Sequence, residues 1–195
     1  LKVFWDWTIE EGLFRGDRHP LAGLKKRRPR GRIVQLEEGE VAALLKQPDR
    51  NTYCGLRDYA LILFQVDTGV RPGEALQLTP EHYRPARGEM LIPADFSKTR
   101  VPRSLPLSAP TIAAIDRLLL VRPEEWEGAP IFATETGTAL QPMSWSRRVK
   151  AYGKAAGLDI TAYHLRHVAA LLFLRRGGGA FALQNLLGHS TMQMT

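Results

Sequence analysis

The apolar positions of this chain fall into helical stripes, interrupted once by a short extended region. From Leu36 onward, Val41, Leu44 and Leu45 recur at i, i+3 and i+4, with Glu37, Glu38 and Glu40 at the end where acidic side chains favour the helix dipole. Pro48 and Asp49 close that helix. A longer apolar helix is predicted from about Leu56 to Asp67, burying Tyr59, Ala60, Leu63 and Phe64, with Gly69 supplying the left-handed residue behind it. Pro72 suits a first helical position and opens a short helix carrying Glu74 to Leu76. Met90-Leu91-Ile92-Pro93 and Ser104-Leu105-Pro106-Leu107 flank the polar turn Phe96-Ser97-Lys98-Thr99-Arg100 as a hairpin, and the prolines limit both strands to edge quality. Ile131-Phe132 is a candidate third strand. Further helices are predicted at 109–120, 144–156, 164–176 and 180–187. In the 164–176 helix Leu165, Val168, Ala169, Leu172 and Phe173 form one stripe and leave Arg166 on a different face. No internal repeat is visible, and the pattern gives a mainly α fold with a small antiparallel β-sheet (α+β).

The first 32 residues lack this order. Val3 to Ile9 is rich in large apolar residues but begins abruptly, like the end of a preceding element. Gly12 to Arg32 mixes glycine, proline and basic residues without an apolar period, which is a linker composition, so a boundary is expected near Arg32. At 195 residues the chain is long enough for one main domain.

Charge sharpens this division. The formal net charge is +7, with 27 Lys and Arg against 20 Asp and Glu. Of this, +5 lies in residues 1–32, which include the run Lys25-Lys26-Arg27-Arg28-Pro29-Arg30 and then Arg32. Such a run is either a solvated tail, a targeting signal or a track for phosphates, and nucleic acid is the first candidate partner, ahead of anionic membrane. Cys54 is the single cysteine, which excludes an internal disulfide framework and fits a reducing compartment. No run reaches the ~18–20 apolar residues of a membrane helix, and the first residues lack a secretory pattern, so no membrane association is expected.

Four stretches carry candidate chemistry. In Thr68-Gly69-Val70-Arg71-Pro72-Gly73-Glu74, Arg71 stands in a helix-to-helix turn where backbone donors also point at an anion; the alternative is a surface arginine paired with Glu74. Lys98, at the hairpin tip, is a general acid or a solvated lysine. In Tyr163-His164-Leu165-Arg166-His167, Arg166 is an anion ligand or a solvated charge at a helix start, with His167 in the core. His189 follows Gly188 and donates to an anion or neutralises a helix end. His164 and His167 lack a third ligand at useful spacing, so no metal site is expected. Cutting a phosphodiester without a metal requires charge neutralisation on two oxygens, an in-line nucleophile and an acid for the departing alkoxide. Two arginines, a lysine and a histidine meet most of those needs, because the arginine fork binds phosphate bidentately and keeps its charge.

In this order and spacing the stretches resemble the active-site boxes of the tyrosine recombinases, the phage-integrase family of DNA strand-exchange enzymes, over about residues 33 to 195. The resemblance implies the tyrosine-recombinase catalytic-domain fold of the DNA breaking-rejoining type. It implies that Arg71 binds the scissile phosphate and Glu74 orients it. Ser97-Lys98-Thr99 followed by Arg103-Ser104-Leu105-Pro106-Leu107 is similar to the family's hairpin, in which Lys98 would protonate the leaving 5′ oxygen. By the same resemblance Arg166 would be the second phosphate ligand and His189 a hydrogen-bond donor. The second box departs from His-x-x-Arg by placing Tyr163 first; Tyr163 is preferred as a phosphate ligand, and His164 is the other candidate, with His167 in support.

By the same resemblance, residues 1–14 end a core-binding, DNA-clamping domain, 15–32 form a basic linker in which Lys25, Lys26, Arg27, Arg28, Arg30 and Arg32 bind DNA, and 33–195 are the catalytic domain. The attacking tyrosine is expected beyond Thr195. The implied activity is site-specific recombination (integration) of double-stranded DNA through a 3′-phosphotyrosine, without cofactor or metal. A homotetramer on two duplexes is expected, monomeric without DNA, in the cytoplasm at the nucleoid of a prokaryote, phage or mobile element. Two rivals stand beside this reading: a non-catalytic DNA-binding relative that keeps the phosphate clamp, and a helical protein-interaction domain whose arginines are surface decoration and do not converge.

Overall fold

The computed structural model describes residues 2–14, 16, 18–23, 36–97 and 99–188. The chain divides into two compact units, residues 1–32 and 33–195. The first holds helix α1 (Lys2–Glu10), so the apolar opening stretch is helical. Trp5 meets the rings of Phe4 and Phe14 edge-on, and the His19 ring lies 3.2 Å from the Asp6 carboxylate.

The second unit is mainly helical around a three-stranded antiparallel sheet. It runs α2 (Glu38–Leu45), α3 (Tyr53–Thr68), α4 (Pro72–Ala75), β1 (Tyr83–Arg84), β2 (Glu89–Ile92), β3 (Arg103–Pro106), α5 (Ala109–Leu120), α6 (Pro142–Ala155), α7 (Ala162–Arg175) and α8 (Ala180–Leu187). Helix α2 opens on a Glu40 side chain that accepts from the Glu37 backbone N–H at 2.8 Å. Thr52 does the same for α3, its hydroxyl accepting from Gly55 N at 3.0 Å.

Helix α3 is the axis of the unit, packed against α5 and α7 and touching α2 and α4. The predicted stripe for it is only partly right. Ala60, Leu61, Ile62 and Phe64 are buried, whereas Tyr59 and Leu63 are half-buried, and the polar Arg57, Asp58, Gln65 and Thr68 are buried as well. A helix covered on several sides cannot keep one apolar stripe, so its inward polar groups must find partners. Gln65 accepts from the indole of fully buried Trp145 at 2.6 Å. Asp58 is gripped by Arg57 (Nη2 to Oδ1, 2.8 Å), by the Arg148 Nε–H, and by the Tyr152 hydroxyl at 2.7 Å, which ties α3 to α6.

In the sheet, β2 lies between β1 and β3, with Met90 opposite both Tyr83 and Leu105, and Ile92 opposite Arg103. Met90, Ile92 and Leu105 are fully buried and define the inward face. The third strand is Tyr83–Arg84, not Ile131-Phe132. Ile131 and Phe132 form a buried turn, where Ile131 N donates to Leu78 O at 2.7 Å and Phe132 stacks on Phe64. Two bulky apolar residues mark burial there without marking extension.

Helices α6 and α7 begin two residues earlier than predicted. Pro142 sits in the first turn of α6, and at α7 the His164 ring accepts from Thr161 N at 3.0 Å and closes the cap. No helix among the described residues is long and apolar enough to cross a membrane.

Candidate active site

Four chain segments converge: the turn between α3 and α4, strand β3, helix α7 and the end of α8. Gly69 ends α3 at φ +65° and Pro72 begins α4, leaving Arg71 extended at the N-cap of α4 with φ −67° and ψ 139°. A Cβ at Gly69 would come within 2.6 Å of Leu187 Cδ2, so the turn closes tightly on the end of α8. Helix α8 stops at Gly188, again left-handed at φ +62°.

Arg166, on α7, joins these ends. Its Nη1 donates to Gly69 O at 2.6 Å and its Nη2 to Leu187 O at 2.7 Å, so one guanidinium spans carbonyls at the C-termini of two helices. The residue is 3% exposed, which overturns the solvated helix-start reading. Burial, followed by the charges of Arg71 and Arg103, lowers it to about 10, so it stays cationic at neutral pH.

Arg71 reaches the adjacent carbonyl, with Nη2 donating to Gly188 O at 3.3 Å. The Arg71–Glu74 pair expected as the alternative reading is present, at 2.9 Å between Nη1 and Oε1, and the Arg71 backbone N–H donates to Oε2 at 3.3 Å. Arg71 keeps 24% of its side chain exposed while Glu74 keeps 3%, so the arginine is the accessible partner.

A third arginine completes the cluster, and the sequence reading did not count it as a site residue. Arg103 donates from Nη2 to Glu74 Oε2 at 2.5 Å and from Nε to Leu186 O at 3.2 Å, with a side chain 10% exposed. Its Nη1 has no acceptor among the described residues. A readable signal existed: Arg103 precedes core residue Leu105 by two positions and so shares the inward face of β3. Burial alone would raise the Glu74 carboxyl, but the hydrogen bonds and charges of Arg103 and then Arg71 hold it below the usual carboxylate range.

Tyr163 lies one helical turn before Arg166, 56% exposed, with its ring edge-on to His167 at 5.0 Å between centroids. His167 is exposed and not in the core; its partial burial, His164 and Arg166 lower its pKa. His164 points its Nδ1 into the α7 cap. Thus Arg71, Glu74 and Arg166 come together, Tyr163 lies near Arg166, and His164 is engaged in the α7 cap. Lys98, His189, Lys25, Lys26, Arg27, Arg28, Arg30 and Arg32 lie outside the described residues. Among the described residues, no three His, Cys, Asp or Glu side chains group as metal ligands.

The tyrosine recombinase XerC of Alcanivorax borkumensis is 30% identical over 206 residues, covering 100% of this chain and 64% of that protein. The chain spans about three fifths of the length of the curated relatives it matches. Among solved structures, the XerA recombinase superposes with a TM-score of 0.76 at 24% identity, over 87% of this chain and 59% of that one. A lambda integrase dimer bound to a COC′ core site gives 0.77 at 20% identity, over 100% and 70%. Both likenesses are of fold. The profile of the phage integrase family matches residues 35–195, a span containing every member of the arginine cluster, and the chain belongs to that family.

Proposed function

We propose that the cluster holds one DNA phosphodiester and that the protein cuts and rejoins DNA at specific sites by transesterification through a 3′-phosphotyrosine. The observation that carries this reading is the convergence of Arg71 and Arg166 on the adjacent carbonyls of Gly188 and Leu187. Three guanidiniums against the single carboxylate of Glu74 leave surplus positive charge in a largely buried site. Attack on a phosphodiester creates a doubly charged phosphorane, and fixed cations stabilise that state more than the singly charged ground state. Arg71 offers its accessible fork to a non-bridging oxygen, and Arg166 serves the other. Tyr163 bonds the phosphate in preference to His164, whose ring is committed to the α7 cap. Lys98 is the acid for the 5′ oxygen, and His189 an additional donor.

The nucleophile comes from outside these residues. The hydroxyls of Tyr53, Tyr83 and Tyr152 are committed to Ala133 O, Asp116 and Asp58, and the Tyr59 ring lies under Arg50. Tyr163 is assigned in this reading to bind the phosphate. The same facts favour a second reading, a DNA-binding relative that keeps the clamp and does not cut.

Double-stranded DNA is the partner in either case, held partly by the basic residues of 15–32, with 1–14 ending a clamping domain. The cutting form assembles as a tetramer on two duplexes, from monomers free of DNA, at a prokaryotic nucleoid. The test is Arg71→Ala and Arg166→Ala in the full-length protein. Both variants lose covalent DNA–protein adduct while keeping most DNA affinity, and retained cleavage in both overturns the assignment. Salt-sensitive DNA binding without any adduct from the unmutated protein selects the second reading.

A further inference from the structure

We propose that Arg103 is a positioning residue of the phosphate clamp, which holds the Glu74 carboxylate so that Arg71 is aimed yet not consumed. This deepens the functional reading above and rests on it.

The two Glu74 oxygens are divided between two arginines, Oε1 taking Arg71 Nη1 at 2.9 Å and Oε2 taking Arg103 Nη2 at 2.5 Å. A buried carboxylate with one cationic partner would draw that partner into a bidentate grip, closing the fork that a phosphate must use. Arg103 supplies the side-chain partner of the second oxygen, which also accepts the Arg71 backbone N–H. Arg71 then stays attached to Glu74 through Nη1, with Nη2 turned towards Gly188 O.

The geometry also couples three elements. Arg103 stands at the end of β3 nearest the hairpin turn, paired across the sheet with Ile92. It donates to Leu186 O on α8 and meets Glu74 on α4. Gly188 packs on its guanidinium so closely that an added Cβ would stand 3.3 Å from both Cζ and Nη1. Strand β3, the Arg71–Glu74 turn and the end of α8 are therefore tied together by one side chain. A role in stability alone explains this poorly, because a buried ion pair seldom repays its desolvation and Arg103 keeps one donor without an acceptor among the described residues.

The probe is inorganic phosphate, titrated into this chain at constant ionic strength. The arginine Nε–Hε NMR signals of Arg71 and Arg166 report binding, and the Glu74 side-chain carboxyl carbon signal reports ionisation. In the unmutated chain both arginine signals move and saturate together. Arg103→Gln weakens phosphate binding at least fivefold and shifts Glu74 ionisation to higher pH. Arg103→Lys, which keeps the charge but cannot reach Glu74 and Leu186 O together, restores part of each and decides the matter if the glutamine variant fails to fold.

Phosphate binding and Glu74 ionisation unchanged in the variant that folds would overturn the role of Arg103 and leave the clamp standing. Arginine signals that ignore phosphate in the unmutated chain would instead remove the clamp, and with it this proposal.

Discussion

Two buried carboxylates in this protein are each gripped by two arginines, and they differ in what is left over. Asp58 is fully buried, and its partners Arg57, Arg148 and Tyr152 close on it and on each other. Arg57 spends a further donor on Ala133 O at 3.1 Å. Glu74 shares its charge between Arg71 and Arg103, but Arg166 lies close enough to feel both guanidiniums, and Arg103 keeps one buried donor without an acceptor among the described residues. The Asp58 set joins α3 to α6 with two guanidiniums on one carboxylate, whereas the Glu74 set gathers three guanidiniums near one carboxylate and keeps a buried donor without an acceptor among the described residues. Excess charge of that kind is what the proposed phosphate clamp requires.

The largest stability effect should come from breaking the Asp58 set. Asp58→Ala strands buried Arg57 and is expected to cost about 3–5 kcal/mol in urea unfolding. Below the lowered transition it should leave phosphate binding intact, because nothing in that joint reaches the cluster. Arg71→Ala should reverse the pattern, with stability changed by about 1 kcal/mol or less because the side chain is partly exposed. Its phosphate affinity should fall at least tenfold, as read by the Arg166 Nε–Hε signal.

A third comparison uses pH. Because Glu74 is held below the usual carboxylate range when folded, its ion pairs contribute stability above the unfolded carboxylate value of about 4.3, and this is lost as pH falls through the lower folded value. The stability advantage of the unmutated chain over Glu74→Gln should therefore shrink under acid and stay flat from neutral pH upward. Tyr152→Phe is the mildest break. The hydroxyl is pushed up to about 12 by burial and then by its hydrogen bond to Asp58, so it remains a donor, and removing it should cost about 1 kcal/mol. In the full-length protein EDTA should leave cleavage unchanged, because arginines supply the charge neutralisation.

The sequence carried the helical scaffold well where one apolar face met one core. The boundaries of α5 and α8 and the hairpin of β2 with β3 were legible from periodicity, from Gly188 and from paired short strands. It failed on α3, where burial on several sides brings Asp58 and Gln65 inward to partners distant in the chain. It failed again at Ile131-Phe132, which are buried without being extended.

At the site, Arg71 and Arg166 announced themselves through neighbouring glycine, proline and histidine. Arg103 did not, because its partners Glu74 and Leu186 belong to other elements. The alternation with Leu105 was its sole local sign. The engagement of His164 was likewise not legible, since a histidine at the third helical position closes a cap only once the helix start is known.

The most direct test is a crystal structure of this chain with duplex DNA. The account predicts that Arg71 and Arg166 lie within about 3 Å of non-bridging oxygens on a single phosphate, with Glu74 still between Arg71 and Arg103. Guanidiniums that contact different phosphates, or DNA seated away from the cluster, would contradict it.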